Sequence, residues 1–360
     1  MKKIVFAKLF LNSLIWGGLF LQSSQALALS DIEITGEVDA LGEVYYMPTG
    51  KQGDSEFRVP TLLLDINVPL KEGNLLVVSF EGAERSSNAA ASRFEVQTRE
   101  AYFDLVSVFN GTYALRGGLL PQPWQEAQYE EWGYRFLGET GWVITEKWRY
   151  LSYSDLGLSF MGELPNDWGE GAISLVNGEG RDEKEVGPHK EVGLFLRLMK
   201  ASPWTISFNY IRGSYDLYGD DVNLKERIQG QVNYRAEGWW AGLEILSTRD
   251  PADAVTALKM AEEVDVVSYA GQSVEGFGCS AFVTMGTGPR SEVMLRYDYL
   301  NAVVGADGKN LSTAIGAWAY RITDDLRVAF AADYTKFGDK YFAYGGRERS
   351  KCEIAAQVLF

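Results

Sequence analysis

Apolar and polar residues alternate one by one over many separate segments of this 360-residue chain. Around position 230, for example, Ile228, Val232 and Tyr234 share one side of the alternation, and glutamines and arginines share the other. A period of two is typical of a β-strand whose two faces meet different surroundings. Sixteen such segments are predicted to be strands, at 32–46, 57–68, 74–83, 93–106, 111–119, 149–162, 169–176, 190–199, 203–212, 225–235, 239–248, 276–285, 291–300, 312–322, 326–336 and 350–360.

The connections between these segments alternate in length. Every second connection is a turn of three to five residues, such as 236–238 or 323–325, whereas the others span nine residues or more. Short turns at one end, long loops at the other and aromatic residues closing the apolar faces are typical of barrels that cross an outer membrane. The pattern therefore predicts an all-β fold, a transmembrane antiparallel β-barrel of about sixteen strands.

The two ends of the chain carry separate signals. Basic residues, an apolar run over 9–21 and the sequence Ala26-Leu27-Ala28 predict a signal peptide over 1–28, cleaved to leave a single barrel domain over 29–360. The apolar run is too short for a retained helix, which needs about 20 residues to span a bilayer. The terminal Phe360 resembles the closing aromatic residue that barrel-assembly machinery reads, although an ordinary amphipathic strand could also end in this way.

Composition excludes several classes of function. Removing the signal peptide would leave 31 basic and 49 acidic residues, a formal charge of −18, which argues against nucleic acid as a partner. The only histidine, His189, lies in a charged loop, so neither a catalytic triad nor a His/Cys metal site is expected. Two cysteines are too few for a disulfide scaffold, and we expect both to be unpaired, the less favoured alternative being a pair between them. We predict no cofactor and no enzymatic activity.

The third long connection, 120–148, is the segment with most functional promise. Its 29 residues include four tryptophans, which argue against a disordered loop. We expect these side chains to pack on the inner wall of the barrel, so that the third outer loop folds inward. The alternative is packing over the rim, at a contact between subunits.

Two neighbouring segments carry a family resemblance. The run 99–104 (Arg-Glu-Ala-Tyr-Phe-Asp) and the run 115–121 (Leu-Arg-Gly-Gly-Leu-Leu-Pro), followed by Trp124 and Glu126, resemble the phosphate- and polyphosphate-selective porins of Gram-negative bacteria. The resemblance implies a porin fold, a homotrimer, and a third loop that narrows the channel. We expect such a barrel to contact outer-membrane lipid and lipopolysaccharide and to pass small hydrophilic solutes. The ladder of basic residues typical of that family is not evident, so phosphate selectivity is not expected.

Charged residues on the polar faces are the candidate lining of this pore. The strands supply a basic wall of Arg116, Arg227, Arg235, Arg296 and Arg327, and the third loop supplies Glu126, Glu130, Glu131 and Arg135. Acids outnumber bases within the loop, so a weakly cation-selective or nearly unselective channel in the cell outer membrane is expected. The alternatives are a non-conducting structural or adhesive barrel and, less favoured, a barrel enzyme.

The signal peptide yields the first testable prediction. Export through a small-x-small site should leave a mature chain that begins at Leu29. Mass spectrometry of the protein from outer-membrane fractions measures this directly, and a chain that still begins at Met1 would contradict the prediction.

Overall fold

The chain forms one closed antiparallel β-barrel. The computed structural model describes residues 32–47, 53, 55–84, 94–106, 112–181, 188–200, 202–214, 224–255, 271–339 and 348–360. Its sixteen strands are β1 (Glu33–Met47), β2 (Ser55–Pro69), β3 (Leu75–Glu84), β4 (Phe94–Leu105), β5 (Tyr113–Pro121), β6 (Ser154–Glu163), β7 (Gly169–Val176), β8 (Glu191–Leu198), β9 (Trp204–Ser214), β10 (Leu224–Ala236), β11 (Trp239–Pro251), β12 (Ser273–Gly288), β13 (Ser291–Asn301), β14 (Asn310–Arg321), β15 (Leu326–Phe337) and β16 (Glu348–Leu359). All sixteen predicted strands are present, and the predicted signal peptide lies outside the described residues.

Each strand pairs with its neighbours in sequence, and β1 pairs with β16 to close the sheet. The closing pair continues to the C-terminus: Gly36 N–H donates to the Phe360 carbonyl at 2.9 Å, and Phe360 N–H donates back at 3.1 Å. The Cβ atom of any other residue at position 36 would lie 2.3 Å from the Phe360 ring. Glycine at this position therefore leaves the space that the ring occupies. The role of Phe360 in assembly stays a prediction.

The two faces of the sheet differ as the alternation predicts. On β10, Ile228 and Val232 are 45% and 40% exposed, whereas Arg227 and Gln229 on the other face are buried. Aromatic residues gather on the outer surface near the short turns, where the ring of Tyr234 lies 4.6 Å from that of Trp204 and 5.0 Å from that of Trp239. Such a band suits the boundary between lipid and water. None of the described helices is long and apolar enough to cross a membrane.

Of two further predictions from the sequence, one is confirmed and the other is wrong. Cys279 and Cys352 are free thiols, as expected. The predicted start of β6 at 149 is wrong, because the strand begins at Ser154. Tyr150 and Leu151 are 3% exposed and belong to buried apolar clusters, so they extend the preceding connection instead.

The outward face of β10 can be tested at Val232. Replacing Val232 with Arg should cost about 2–4 kcal/mol of unfolding free energy if this position lies near the bilayer midplane, because the charge would face lipid. Val232→Leu is the matched control and should cost little. Denaturant unfolding in lipid vesicles measures both values, and equal stability of the two variants would mean that the face is assigned wrongly.

Candidate functional site

A long connection between β5 and β6 forms a compact unit, here called the inner segment and defined as residues 122–153. It contains helix α1 (Pro123–Trp132), a 3₁₀ stretch (Arg135–Thr140) and the short helix α2 (Ile144–Lys147). Helix α1 ends at Trp132, and the left-handed conformation of the next residue, Gly133 (φ 70°), turns the chain away from the helix axis. Five apolar side chains of the segment are completely buried: Trp124, Tyr134, Phe136, Leu137 and Ile144.

Helix α1 is held by an arginine on the wall. Arg197 on β8 is 3% exposed and lies 2.5 Å from both Glu130 and Glu131. Arg235 on β10 approaches Glu131 at 3.6 Å. Charge-assisted contacts of this kind are stronger than neutral hydrogen bonds, so they fix the helix against β8 and β10.

The 3₁₀ stretch is held from other directions. The Arg135 guanidinium donates to Glu81 on β3 at 3.0 Å and to Glu146 of the inner segment at 3.0 Å. The Tyr134 hydroxyl donates to Glu292 on β13 at 2.7 Å. Arg135 and the preceding Tyr134 therefore reach carboxylates on two well-separated strands.

Thr140 contacts a charged cluster near the barrel closure. Its hydroxyl lies 3.1 Å from a carboxylate oxygen of Asp333 on β15 and 3.0 Å from one of Glu353 on β16. Lys351 lies 2.9 Å from Glu353 and 3.1 Å from Glu43 on β1. The positive charge of Lys351 offsets part of the repulsion among Glu43, Asp333 and Glu353. Burying these charges away from water carries a large desolvation cost.

The inner segment also packs on apolar wall residues. Trp132, Tyr134, Phe136 and Leu137 cluster with inward-facing side chains, most of them small: Leu41, Met294, Ile315, Ala317, Ala319, Ala329, Ala331 and Ala355. The small alanine side chains of the wall leave space for the aromatic side chains of the inner segment, and larger wall residues would occupy that space. The segment therefore lies against the buried faces of strands from several parts of the barrel.

The predicted basic residues divide into two groups. Arg227 and Arg296 are 1% and 4% exposed and bind strand carboxylates, Asp250 at 2.7 Å and Asp298 at 2.7 Å respectively. Arg227 also donates to the Tyr150 carbonyl at 3.0 Å. Both arginines therefore stabilise the barrel wall, and Arg227 also binds the inner segment.

The other predicted arginines lie closer to open space. Arg116 binds Asp104 through two nitrogens at 2.9 and 3.0 Å and lies 3.5 Å from Glu126. Arg327 donates to the Gly133 carbonyl at 2.8 Å, and the Arg235 side chain is 59% exposed. The sequence reading missed Arg197, Glu81 and Thr140 as partners. A usable signal existed for Arg197 and Glu81, since each occupies the buried face of its strand.

Two cavities open near the short turns. The first, here the basic vestibule, has a volume of about 420 Å³ and is lined by Arg235, Trp240, Arg290, Glu292, Arg321 and Arg327, among others. The second, here the acidic vestibule, has a volume of about 380 Å³, and its charged lining is Glu126, Glu130, Glu163, Glu170, Arg197 and Lys200. No group of three His, Cys, Asp or Glu residues placed to hold a metal occurs in the described ranges.

Two groups of the inner segment titrate near neutrality. Burial raises the pKa of Glu126 to about 7, with Arg116 opposing the shift. The Glu126 side chain is 38% exposed and lines the acidic vestibule. Burial and Arg349 lower the pKa of Lys147 to about 8, and its ammonium has no hydrogen-bond partner among the described residues.

Comparison with solved structures gives the same architecture in bacterial porins. An anion-selective porin from Comamonas acidovorans superposes with a TM-score of 0.64 at 12% identity, covering 91% of this chain and 99% of that one. Salmonella typhi OmpF, in a complex with daunomycin, gives 0.66 at 11%, covering 91% and 97%. The channel DcaP of Acinetobacter baumannii gives 0.60 at 8%, with the same coverage. No family model and no curated protein matches the sequence. At such identities the likeness shows the fold.

The Arg197 contacts predict how firmly α1 is held. Arg197→Met leaves the buried Glu131 without its nearest partner, and removing one member of a buried pair typically costs about 3–5 kcal/mol. The loss at Glu130 should be small, because its side chain is 58% exposed. Amide hydrogen exchange over 123–132 should accelerate accordingly. Lys200→Met is the matched control, because its 2.8 Å pair with Glu170 is exposed and such pairs contribute about 1 kcal/mol or less. Equal exchange in both variants would contradict the anchoring role.

Proposed function

We propose that the protein is an outer-membrane porin, a water-filled channel for passive diffusion of small hydrophilic solutes and ions. The observation that carries the proposal is the division between an exposed apolar outer face and an inner face rich in buried charged and amide side chains. An apolar outer band suits lipid, and a polar interior suits water. A sixteen-stranded barrel is wide enough to hold an aqueous path. The proposal includes export by cleavage of residues 1–28, a homotrimer, and contact with lipopolysaccharide.

The inner segment is proposed to narrow this channel. It is bound to β8 through Arg197, to β3 through Arg135 and to β15 and β16 through Thr140, so it extends between distant parts of the wall. The two vestibules provide open space near the short turns. The aperture should therefore be small, and passage should depend on solute size before chemistry.

Ion preference should be weak. Three of the strand arginines named above, Arg116, Arg227 and Arg296, pair with strand carboxylates, whereas Glu130 and Glu131 share the single positive charge of Arg197. Short-range charges at a constriction outweigh distant loop charges, which are screened beyond about 10 Å. We therefore propose a nearly unselective or weakly cation-selective pore that involves no cofactor and no covalent chemistry.

A non-conducting barrel is the competing function, since an inner segment fixed on several sides could also act as a plug. Single-channel recording in planar bilayers separates the two. We expect small, voltage-tolerant current steps, with a reversal potential near zero or slightly cation-selective in a salt gradient. The absence of steps from correctly folded trimers would contradict the channel, and strong anion selectivity would contradict the charge balance.

The titration of Glu126 and Lys147 predicts a pH dependence. As the pH rises from 6 to 9, Glu126 loses its proton around pH 7 and Lys147 becomes neutral around pH 8, so both changes make the interior more negative. Cation preference should therefore increase with pH. Glu126→Gln should remove the lower step and Lys147→Met the upper one. Reversal potentials that stay constant across this range in the wild type would contradict the prediction.

A further inference from the structure

The stretch of chain directly after β7 is held by contacts with distant parts of the barrel. It comprises residues 177–181, here called the strap, at the end of the barrel where the long connections lie. Asp155 on β6 accepts hydrogen bonds from the Gly178 N–H at 2.7 Å and from the Gly180 N–H at 3.2 Å, and Gly180 is buried. The backbone of the strap therefore follows one defined path beside β6.

Two charged contacts reach the strap from different walls. The Lys225 ammonium on β10 donates to the Gly178 carbonyl at 2.9 Å, and the Arg181 guanidinium lies 2.5 Å from a carboxylate oxygen of Glu81 on β3. Strands β3 and β10 are seven positions apart in a ring of sixteen, so their walls nearly face each other.

These contacts require the strap to leave the wall. Strands β7 and β3 are four positions apart in the ring, a separation of about 19 Å along the sheet. An arginine side chain is much shorter than this, so the backbone before Arg181 must carry it inward towards Glu81. The strap therefore crosses part of the barrel interior.

Glu81 connects the strap to the inner segment. Its side chain is 6% exposed, and its two carboxylate oxygens are divided between two arginines, Arg135 of the inner segment at 3.0 Å and Arg181 of the strap at 2.5 Å. The strap also adjoins the end of the inner segment, because a Cβ atom at Gly180 would lie 2.4 Å from the Ser152 side chain. Each arginine binds its own oxygen, so one pair can break while the other remains.

We infer that the strap is a second restriction of the channel, held closed by the Arg181–Glu81 ion pair and able to open while the inner segment stays in place. Breaking this pair removes the contact with β3, whereas Asp155 and Lys225 keep the strap attached near β6 and β10. The path beside β3 then widens. Arg181 is therefore a positioning residue that sets the width of the path. The inference rests on the proposed function, but release of the strap can be measured without conduction.

Amide hydrogen exchange of the folded, full mature protein in lipid vesicles measures this release. We expect Arg181→Gln to accelerate exchange over 177–181 by about 10- to 100-fold, the usual effect of losing a hydrogen bond between charged groups. Exchange over 123–132 should stay unchanged, because α1 is bound through Arg197. Lys71→Gln is the matched control, since it removes one positive charge from an exposed short turn at the other end of the barrel.

Asp155→Asn is a second variant should Arg181→Gln fail to fold. It replaces one of the two oxygens that accept main-chain N–H groups, so exchange over 177–181 should also accelerate. The effect should be smaller than that of Arg181→Gln, because Arg181 still binds Glu81 in this variant.

Single-channel recording of the same variants tests the restriction itself. Arg181→Gln should give larger current steps than the wild type, and Lys71→Gln should give equal ones. Unchanged exchange over 177–181 in Arg181→Gln would overturn the inference. Faster exchange with unchanged current steps in a conducting barrel, or equal effects of Lys71→Gln and Arg181→Gln, would overturn it as well. Faster exchange in a barrel that conducts no current in any variant would contradict the proposed function and leave the releasable strap standing.

Discussion

Closure of the sheet is the constraint on which the rest of this structure depends. A strand that faces lipid must pair its backbone polar groups with neighbouring strands, because the bilayer interior offers no water. The pairing of β1 with β16 removes both free edges, and the main-chain bonds between Gly36 and Phe360 carry it to the last residue. Once the ring is closed, every second side chain points inward, and the interior must accommodate charges from sixteen strands.

The inner segment neutralises some of the charges that point into the barrel interior. Its own charged groups pair with the wall, as Glu130 and Glu131 do with Arg197, and its aromatic residues cover the alanine-rich faces of β14, β15 and β16. Arg227 and Arg296 form ion pairs within the wall with Asp250 and Asp298. Among the described residues, the charged side chains that line the two vestibules face open space, and in the proposed channel they would meet the diffusing solute.

Much of the fold follows from the sequence, because alternation is a local property. The residues of β10 show their inward or outward direction without any knowledge of the strands beside them. The contacts of the inner segment are different, since Thr140 and Glu353 are 213 positions apart and no local pattern joins them. The start of β6 was misplaced for the same reason: Tyr150 and Leu151 fit a strand pattern, but burial among distant side chains decides their place.

The proposed narrowing role of the inner segment can be tested by removing it. Gln122 N–H donates to the Tyr153 carbonyl at 2.8 Å, so the ends of the segment already meet and an Asn-Gly turn can join them after deletion of 123–152. Single-channel conductance of this variant is the most direct measurement. We predict a correctly folded barrel whose conductance is several-fold larger than that of the wild type. A folded variant with unchanged conductance would contradict the inner segment as the element that limits the pore.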